Sequence, residues 1–507
     1  MQLSQLLKEV PGAIFIGSGD VLITSLCYDS RRSTPGSLFV AVPGFKVDGH
    51  DFLAQALAAG AAAVAVQANE EAKWRAATSE SAIPTLVVPD TRVALAQIAA
   101  AHYGHPARQL FTIGITGTDG KTSLAHLLAH VLGVAGENAG LISTAECRIG
   151  ATPFGDTGRF TTPEAPEVQE MLAQMVEAVC RWAVIEATSH GLALHRVDEC
   201  EYDIAVVTNL GTDHMDFHRT VAEYKAAKGR LFAMLDDSAP KGVQKTAVFN
   251  LDDPSYGYFR GLTTVRGITY GLQSSADVSA SGFQDEGWSS RFVLRVDGGE
   301  TEVRVQRPGR FNVYNALAAT ATGLSIGLDR DTIVRGLESW TGAPGRMELI
   351  DEGQNFSVVV DFAHAPASLQ RVLELLRGHS RGRIIAVFGC IGERDKDRRF
   401  PMGRAAGETA DYTIVTDDNP YTEDRGAIIE EIAAGLRAAG KREGHDFALV
   451  PDRREAIAQA LAMAVDEDVV LLAGKGHERE VNLGDSRYEC NDGEVARRVL
   501  RKLRRGQ

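Results

Sequence analysis

The segment FTIGITGTDGKTSLAHLLAHVLGVAG, residues 111–136, decides the fold class of this chain. It opens with a short apolar run, passes through a glycine-rich turn, and continues with helical periodicity. A strand, a turn and a helix in this order are typical of a parallel α/β sheet. The turn then lies at the carboxyl end of the strand, where open α/β sheets bind their ligands.

Similar apolar runs recur along the chain, each flanked by turn residues. Helical periodicity at 123–136 and 367–378 lies between such runs, so we predict an α/β fold with parallel sheets. One exception is 292–306, whose period of two across Gly298-Gly299 predicts an antiparallel hairpin. The predicted parallel strands are 38–42, 62–66, 85–89, 111–116, 183–187, 204–210, 247–251, 357–362, 383–389, 413–417 and 469–474.

The length of 507 residues predicts about three domains. Turn-rich segments at 102–109 and 341–346 place the domains at 1–108, 109–340 and 341–507. With 53 Lys and Arg residues against 67 Asp and Glu residues, the net charge of −14 disfavours binding to nucleic acid or to an anionic membrane.

The six cysteines are scattered, so we expect reduced thiols rather than disulfide bonds or a structural zinc site. No apolar run approaches about 18 residues, and the N-terminal segment lacks the pattern of a signal peptide. We therefore expect a cytoplasmic protein without a membrane span.

Polar clusters follow seven of the predicted strands directly. In chain order they are TGTDGKTS, EATSH, NLGTDH, DFAH, GCIGERDK, DDNP and GKGHE. Because the carboxyl ends of parallel strands meet at one edge of a sheet, we expect these clusters to form one or two continuous clefts.

The turn after the strand at 111–116 has the composition of a phosphate-binding loop. Its glycines let backbone N–H groups approach phosphate oxygens, and the N-terminus of the following helix adds partial positive charge. A lysine then reaches the outer phosphates, and a hydroxyl ligates Mg²⁺. The spacing departs by one residue from the usual GxxxxGK[ST], because Ile115 stands where the first glycine is expected. We predict a nucleoside triphosphate site at Gly114, Thr116, Gly117, Thr118, Asp119, Gly120, Lys121, Thr122 and Ser123.

Several segments together resemble the Mur ligase family of peptidoglycan synthesis, and the resemblance spans essentially the whole chain. It is strongest to the ligases that add the third residue of the stem peptide. It implies a UDP-sugar-binding N-terminal domain, a central ATP-binding domain with a P-loop ATPase-like parallel sheet, and a Rossmann-like C-terminal domain that binds the amino acid. The segments are DSRRSTPGSLFVAVPG (29–44), TGTDGKTS, ATSHGL, NLGTDHMDFH, the AAK triplet ending at Lys228, GRFNVYN (309–315), DFAHAP (361–366), DDNP (417–420) and GKGHE (474–478).

The resemblance implies ATP-driven amide formation. ATP phosphorylates the terminal carboxylate of UDP-N-acetylmuramoyl-L-alanyl-D-glutamate, and the amine of a free diamino acid attacks the acyl phosphate. Two Mg²⁺ ions would neutralise the charges of the reacting groups. The implied catalytic residues are Lys121, Glu186, His214 and Lys228. The implied metal ligands are Thr122, Glu186, His214 and Lys228, the lysine as its carbamate (N6-carboxylysine), because an ammonium cannot bind Mg²⁺.

From the residues alone, other interpretations of these positions stay open. Glu186 also suits a helix cap or an ion pair, His214 a surface histidine, and Lys228 a solvated helix lysine. The resemblance further implies that Arg310, Asn312 and Asn315 lie near the adenine and ribose. It implies that Arg346 and Asp361 help close the ATP site from the third domain, with His364 at the same interdomain cleft. It implies acceptor contacts from Ser30, Arg31, Lys46, Thr161, Thr162, Ser189 and Arg196, whereas Leu194 replaces a glutamine often found in the family and removes one polar contact.

The motif Asp418-Asn419-Pro420-Tyr421 bears on which amino acid is added. In family members that use meso-diaminopimelate the motif reads DNPR, and its arginine binds the distal carboxylate through two hydrogen bonds. Tyrosine cannot do so, so we expect L-lysine or L-ornithine ahead of meso-diaminopimelate, unless Arg425 replaces the missing guanidinium. The implied amino-acid-binding residues are Arg394, Asp418, Asn419, Pro420, Tyr421, Gly474, His477 and Glu478.

Two other functions are compatible with a phosphate loop. One is another ligase of the superfamily, such as the enzyme adding D-Ala-D-Ala or a folylpolyglutamate synthetase, which the GKGHE and DSR elements disfavour. The other is a nucleotide-gated switch protein, which leaves Lys228 and GKGHE unexplained. We also expect a monomer that closes over its substrates and excludes water.

Overall fold

The computed structural model describes residues 1–45, 47–78, 83–154 and 162–505. The chain divides into two compact units. The first comprises Met1–Ala280, Leu294–Glu300 and Tyr314–Gly336, and the second comprises Ser281–Val293, Thr301–Val313 and Leu337–Gln507. Three large sheets organise the described residues, and the domain boundaries near 108 and 340 stay predictions.

The N-terminal sheet has five strands in the order β1-β5-β4-β3-β2. All neighbours are parallel except β1, which pairs antiparallel with β5 at the edge. Its strands are β1 (Ile14–Ile16), β2 (Ser25–Cys27), β3 (Ser37–Val40), β4 (Ala63–Gln67) and β5 (Thr85–Val88), and its helices are α1 (Leu3–Lys8), α2 (Leu53–Ala58), α3 (Glu71–Thr78) and α4 (Thr91–His102).

The central sheet follows with strands β6 (Phe111–Thr116), β7 (Ala139–Ile142), β8 (Cys147–Ile149), β9 (Thr152–Pro153), β10 (Trp182–Glu186), β11 (Ile204–Val207), β12 (Thr246–Asn250), β13 (Arg266–Gly271), β14 (Val278–Glu286), β15 (Ser289–Val296) and β16 (Gly299–Val305). Their order is β16-β15-β14-β13-β12-β11-β6-β10-β7-β8-β9. The helices are α5 (Lys121–Val134), α6 (Ala165–Glu177), α7 (Ser189–Ala193), α8 (Met215–His218), α9 (Val221–Asp237), α10 (Tyr256–Arg260), α11 (Arg310–Ser325) and α12 (Arg330–Ser339).

The C-terminal sheet has the order β17-β18-β22-β19-β20-β21, beside a two-stranded hairpin of β23 and β24. Its strands are β17 (Glu348–Ile350), β18 (Ser357–Asp361), β19 (Ile384–Phe388), β20 (Tyr412–Val415), β21 (Phe447–Leu449), β22 (Val469–Ala473), β23 (Glu480–Leu483) and β24 (Ser486–Glu489). Its helices are α13 (Pro366–His379), α14 (Arg399–Thr409), α15 (Arg425–Ala438), α16 (Arg453–Met463) and α17 (Asp492–Arg505).

All of the predicted parallel strands are strands in the structure, and both predicted helices are present. The central strands of the C-terminal sheet are buried on both faces, which explains their continuous apolar runs. The hairpin at 292–306 is also confirmed, but its turn is one residue earlier than predicted. Asp297 and Gly298 have φ values of 49° and 74°, as a type I′ turn requires, and Gly299 already belongs to β16.

The seven polar clusters lie at two sheet edges, not one. Three follow β10, β6 and β11, which are parallel neighbours in the central sheet. The other four follow β18, β22, β19 and β20, which are parallel neighbours in the C-terminal sheet. The clusters therefore form two groups, one at the edge of each sheet. Among the described residues, no helix is both long enough and apolar enough to cross a membrane.

Candidate functional site

Two glycines in the loop between β6 and α5 have backbone conformations that other residues rarely adopt. Gly117 and Gly120 have φ values of 141° and 86°, which favour glycine. The loop is held from the neighbouring strand end, because the Thr208 hydroxyl donates to the Asp119 carbonyl at 2.6 Å and the Thr118 N–H donates to the Asn209 carbonyl at 2.9 Å. Helix α5 then begins at the loop, so its N-terminal partial charge lies beside it.

Two predicted loop glycines have different roles. A Cβ at Gly117 would lie 1.9 Å from the Thr208 hydroxyl, so the close approach of the two segments requires glycine there. Gly114, expected in the loop, lies instead within β6. A Cβ at Gly114 would lie 2.6 Å from Leu231 and 2.7 Å from Tyr202. Packing therefore explains Gly114, and this explains why the usual spacing fails by one residue.

The Glu186 carboxylate ends β10, the strand next to β6, and is buried. It accepts hydrogen bonds from the Thr122 hydroxyl at 3.0 Å and from the Thr144 N–H at 2.9 Å. The hydroxyl oxygens of Thr116, Thr144 and Ser189 are also buried and have no hydrogen-bond partner in the described chain. A buried group without a partner is costly. These oxygens match the hard donors that Mg²⁺ prefers and the polar groups that a bound phosphate needs.

Lys228 is a buried lysine on α9 with 1% of its surface exposed. Its Nζ donates to the Gly117 carbonyl at 2.5 Å and lies 4.4 Å from the centre of the Tyr224 ring. Burial, together with the positive charge of Lys121, holds the pKa of Lys228 well below its usual value. The structure therefore places a lysine whose charged form is disfavoured by burial against the phosphate loop.

His214 immediately precedes α8 and has a left-handed conformation, with φ of 55°. Its ring centre lies 4.7 Å from that of His190, and its Nε2 lies 3.5 Å from an Asp213 carboxylate oxygen. Across the described ranges no group of three or more His, Cys, Asp or Glu side chains is placed to hold a metal ion. The predicted metal ligands are not such a group, because two of the four, Thr122 and Lys228, are a threonine and a lysine.

The acceptor residues that the structure describes lie in two places within the first unit. Arg196 donates to the Thr162 carbonyl at 3.0 Å and pairs with Glu164 at 2.6 Å. Near it the Thr162 and Thr188 hydroxyls are 2.8 Å apart. In the N-terminal sheet the Ser30 hydroxyl donates to Gln55 at 2.9 Å, and Arg31 pairs with Asp29. The predicted residues Lys46 and Thr161 lie outside the described residues.

The predicted nucleotide residues are divided between the units. In the first unit, a Cβ at Gly120 would lie 2.8 Å from the Asn315 side-chain oxygen, so this amide borders the phosphate loop. In the second unit, the Asn312 amide donates to the Pro308 carbonyl at 2.8 Å. The Arg346 guanidinium lies 4.2 Å from the Phe362 ring centre.

Asp361, also in the second unit, ends β18 with its carboxylate fully engaged. It accepts the Met347 N–H at 2.8 Å and the Ala363 N–H at 2.9 Å. Burial nevertheless raises its pKa. The adjacent His364 ring nitrogen Nδ1 lies 2.8 Å from the Phe362 carbonyl.

The four strand ends of the C-terminal sheet bring together residues far apart in sequence. The Asn419 amide donates to Glu478 at 3.0 Å. The Lys475 ammonium, which sequence reasoning missed, is buried and contacts Glu478 at 2.7 Å and Asp418 at 3.4 Å. Burial opposes the charge of Lys475, but Asp418 and Glu478 together raise its pKa. Its position inside GKGHE, a motif with three predicted residues, was the available signal.

The neighbourhood of Tyr421 corrects one expectation. Arg425 forms a hydrogen-bonded ion pair with the buried Asp417 carboxylate. It is therefore not free to replace the arginine missing at 421. Tyr421 has φ of 53°, and its N–H donates to the Asn482 carbonyl at 3.1 Å, which ties the motif to the β23–β24 hairpin.

The other residues predicted to bind the amino acid lie on loops of the same unit. Arg394 is exposed in the loop after β19. Gly474 has φ of 101° directly after β22, and the His477 ring centre lies 5.3 Å from that of Phe362. Pro420 presses against Gly392, where a Cβ would meet the proline carbonyl at 1.9 Å.

Three family models match the chain in succession. They are the Mur ligase family catalytic domain at residues 22–103, the Mur ligase middle domain at 115–323, and the Mur ligase glutamate ligase domain at 345–476. The chain is 42% identical to a UDP-N-acetylmuramyl-tripeptide synthetase of Roseiflexus sp. (strain RS-1), over 99% of both chains. It is 40% identical to a UDP-N-acetylmuramoyl-L-alanyl-D-glutamate--2,6-diaminopimelate ligase of Geobacillus thermodenitrificans (strain NG80-2), over 99% of this chain and 100% of that one.

Solved structures agree with this assignment. A structure of a UDP-N-acetylmuramoyl-L-alanyl-D-glutamate--2,6-diaminopimelate ligase matches with a TM-score of 0.63 and 30% identity over 95% of each chain. The Mycobacterium tuberculosis folylpolyglutamate synthase has the same fold, with a TM-score of 0.62 at 17% identity over 82% of this chain and 94% of that one. The predicted three-domain α/β fold and ligase class are confirmed, and the switch-protein alternative is wrong. The chain belongs to the Mur ligase family, whose members are ATP-dependent amide ligases.

Proposed function

We propose that this ligase adds L-lysine or L-ornithine to UDP-N-acetylmuramoyl-L-alanyl-D-glutamate, as the third residue of the peptidoglycan stem peptide. The acceptor is supported by the names of the relatives at about 40% identity. The amino acid is supported by one observation, which is the pairing of the cationic side chains in the segment 390–425 that contains Tyr421.

Within residues 390–425, all of which the structure describes, Arg394 is the one cationic side chain without a carboxylate partner. The pairs are Lys396 with Glu423, Arg398 with Asp395, Arg399 with Glu423 and Glu431, Arg404 with Glu408, and Arg425 with Asp417. One free guanidinium suits one carboxylate, the α-carboxylate of the incoming amino acid. Within this segment a second carboxylate would find no further unpaired guanidinium, and it would be costly to desolvate.

The names of several relatives favour a second candidate. The Geobacillus and Bacillus proteins at about 40% identity are named as 2,6-diaminopimelate ligases. The Roseiflexus relative, at 42% identity, carries a name that specifies no amino acid. Meso-diaminopimelate therefore remains the alternative to be tested directly.

The chemistry divides among residues of the two sheet edges. The α5 N-terminus and Lys121 would bind the triphosphate and neutralise its charge while the γ-phosphoryl group passes to the acceptor carboxylate and ADP leaves. Asp418, Asn419 and Glu478 would hold the amine so that its nitrogen attacks the acyl carbon. The amine loses a proton as the C–N bond forms, the bond between the acyl carbon and the phosphate oxygen breaks, and phosphate leaves.

Thr122, Glu186, His214 and Lys228 would hold Mg²⁺, which neutralises phosphate charge when bound. The low pKa of Lys228 supports the proposed carbamate, because only a neutral amine attacks CO₂. The new N–C bond forms as the amine loses a proton, which leaves an anionic carboxylate equivalent.

The test measures ligation of the three amino acids with purified enzyme, ATP, Mg²⁺ and the UDP-linked dipeptide. We expect kcat/KM for L-lysine or L-ornithine to exceed that for meso-diaminopimelate by at least about tenfold. Phosphate release must require both the acceptor and the amino acid. Faster turnover of meso-diaminopimelate would overturn the preference. If mass spectrometry detects no lengthened precursor, the proposed reaction is wrong.

A pair of variants tests the role of Tyr421. Tyr421→Arg restores the two-pronged donor and is expected to raise kcat/KM for meso-diaminopimelate by about tenfold or more. Tyr421→Phe keeps the ring without adding charge and is expected to give no such gain. Equal gains in both variants would show that the guanidinium is not the determinant.

A further inference from the structure

Two loops of the second unit that carry residues predicted to bind the amino acid are hydrogen-bonded to each other. One follows β19 and carries Arg394, and the other follows β20 and carries Tyr421. The Gly392 N–H donates to the Asn419 carbonyl at 2.9 Å. The Glu393 carboxylate accepts the Thr422 N–H at 3.1 Å and the Thr422 hydroxyl at 2.7 Å. The two loops therefore form one surface.

A buried arginine forms hydrogen bonds to both loops. Arg399, at the start of α14, has no exposed surface. Its guanidinium donates two hydrogen bonds to Glu423, at 2.9 and 2.8 Å, and one to the Ile391 carbonyl at 3.2 Å. Glu423 also accepts the Glu393 N–H at 2.7 Å. A single charged pair thus contacts both loops, and we name Glu393, Arg399, Thr422 and Glu423 the Arg399 clasp.

The clasp controls a strained turn. Arg394 lies between Glu393 and Asp395, whose φ values are 64° and 56°. Such left-handed residues persist only where their surroundings hold them. Glu393 is held on both sides, since Glu423 binds its N–H and Thr422 binds its carboxylate. Without Glu423 the turn loses the bond that precedes Arg394.

We propose that Glu423 and Arg399 are positioning residues, which fix the Arg394 guanidinium relative to Tyr421 for capture of the amino acid. This inference rests on the proposed function of Arg394 and Tyr421. The clasp acts through Arg394 and touches no reacting atom. Its loss affects the amino acid and leaves the phosphate loop, which belongs to the other unit, unaltered.

Glu423→Gln is the direct test, because it keeps the shape and removes the charge. We expect KM for the amino acid to rise about ten- to a hundredfold, with KM for ATP and for the acceptor unchanged. Glu431→Gln is the matched control. Glu431 pairs with the same arginine at 3.1 Å, but it is exposed on α15, so this variant is expected to match the wild type.

Thr422→Val tests the other half of the clasp and guards against misfolding of the first variant. It removes only the hydroxyl bond to Glu393 and is expected to raise the same KM, by a smaller factor. Thermal unfolding of each variant separates a folded, weakly binding enzyme from an unfolded one. A Glu423→Gln enzyme that folds and keeps the wild-type KM would overturn the proposal.

A double variant separates this proposal from the proposed function. If Glu423 acts through Arg394, then Arg394→Gln with Glu423→Gln is no worse than Arg394→Gln alone. Additive losses in the double variant would contradict positioning. If Arg394→Gln itself leaves the amino-acid KM unchanged, the proposed role of Arg394 fails. If it raises KM while Glu423→Gln does not, only the clasp fails.

Discussion

Lys228 is the residue whose surroundings differ most from what its local sequence suggests. The segment EYKAAKGRLF is typical of a helix with exposed lysines. In the structure the Lys228 amine is buried beneath the phosphate loop, with the Gly117 carbonyl as its acceptor. The protein keeps an ionisable group where a charge is costly, which is common at functional sites.

Lys228→Met is expected to unfold at a higher temperature than the wild type and to lose ligase activity. The pKa of Lys228 in the folded state lies below its value of about 10.4 in the unfolded chain. Below a pH of about 10.4 the unfolded chain therefore binds a proton more readily than the folded protein does. This difference lowers the stability of the wild type. Methionine removes this cost. In CO₂-free buffer, the gain in Tm is therefore largest near neutral pH and shrinks as pH approaches about 10.4.

Lys225→Met on the same helix is the control for that measurement. Lys225 is half-buried against the Tyr258 ring, 4.2 Å from its centre. We expect a stability change within about 0.5 kcal/mol and full activity. A Lys228→Met enzyme that ligates normally, or that unfolds at a lower temperature than the wild type, would contradict the interpretation.

At the scale of an element, helix α5 and the loop before it contain one glycine that leaves no room for a side chain, Gly117, and one that does, Gly133. Gly117 has φ of 141° and no room for a Cβ beside Thr208. Gly117→Ala is expected to cost about 1–3 kcal/mol of stability and to raise KM for ATP about a hundredfold. Denaturant unfolding and steady-state kinetics measure the two effects.

Gly133, inside α5, provides the comparison. No atom lies within 4 Å of a Cβ built there, and its conformation is helical. Gly133→Ala is expected to stabilise the protein by up to about 1 kcal/mol, because alanine is the better helix former. If both alanine variants behave alike, then the loop geometry is not what requires glycine at 117.

At the scale of the whole molecule, Arg453 joins three elements of the second unit. Its guanidinium is fully buried and donates to Asp492, at 2.7 and 2.6 Å, and to the carbonyls of Asp417 and Ala473. It therefore connects α17 to the ends of β20 and β22, which are followed by residues proposed to bind the amino acid.

Arg453→Met is expected to destabilise the protein by about 3–5 kcal/mol, because it leaves the Asp492 carboxylate buried without its cation. The double variant Arg453→Met with Asp492→Leu is expected to recover most of that loss. Arg454→Met removes an exposed pair with Asp452 and is expected to cost about 0–1 kcal/mol. Equal losses in the two single variants, measured by denaturant unfolding, would contradict this assignment.

Much of the fold was predictable, because buried parallel strands leave a continuous apolar signal. The predicted runs became the central strands of the sheets. The strands that were missed are mostly short or lie toward the edges, such as β8, β9 and β17. Half-exposed edge strands have no such run, so local sequence could not reveal them.

The sequence by itself determined the α/β class and the family and predicted the phosphate loop, because each of these depends on motifs whose residues are near neighbours along the chain. Only the tertiary structure decided which side chains meet across long separations. Glu186 meets Thr122, Lys475 lies between Asp418 and Glu478, and Arg425 is bound by Asp417. Burial and pairing of a charge depend on the surrounding fold, and this is why the available guanidinium at Arg394 became visible only in three dimensions.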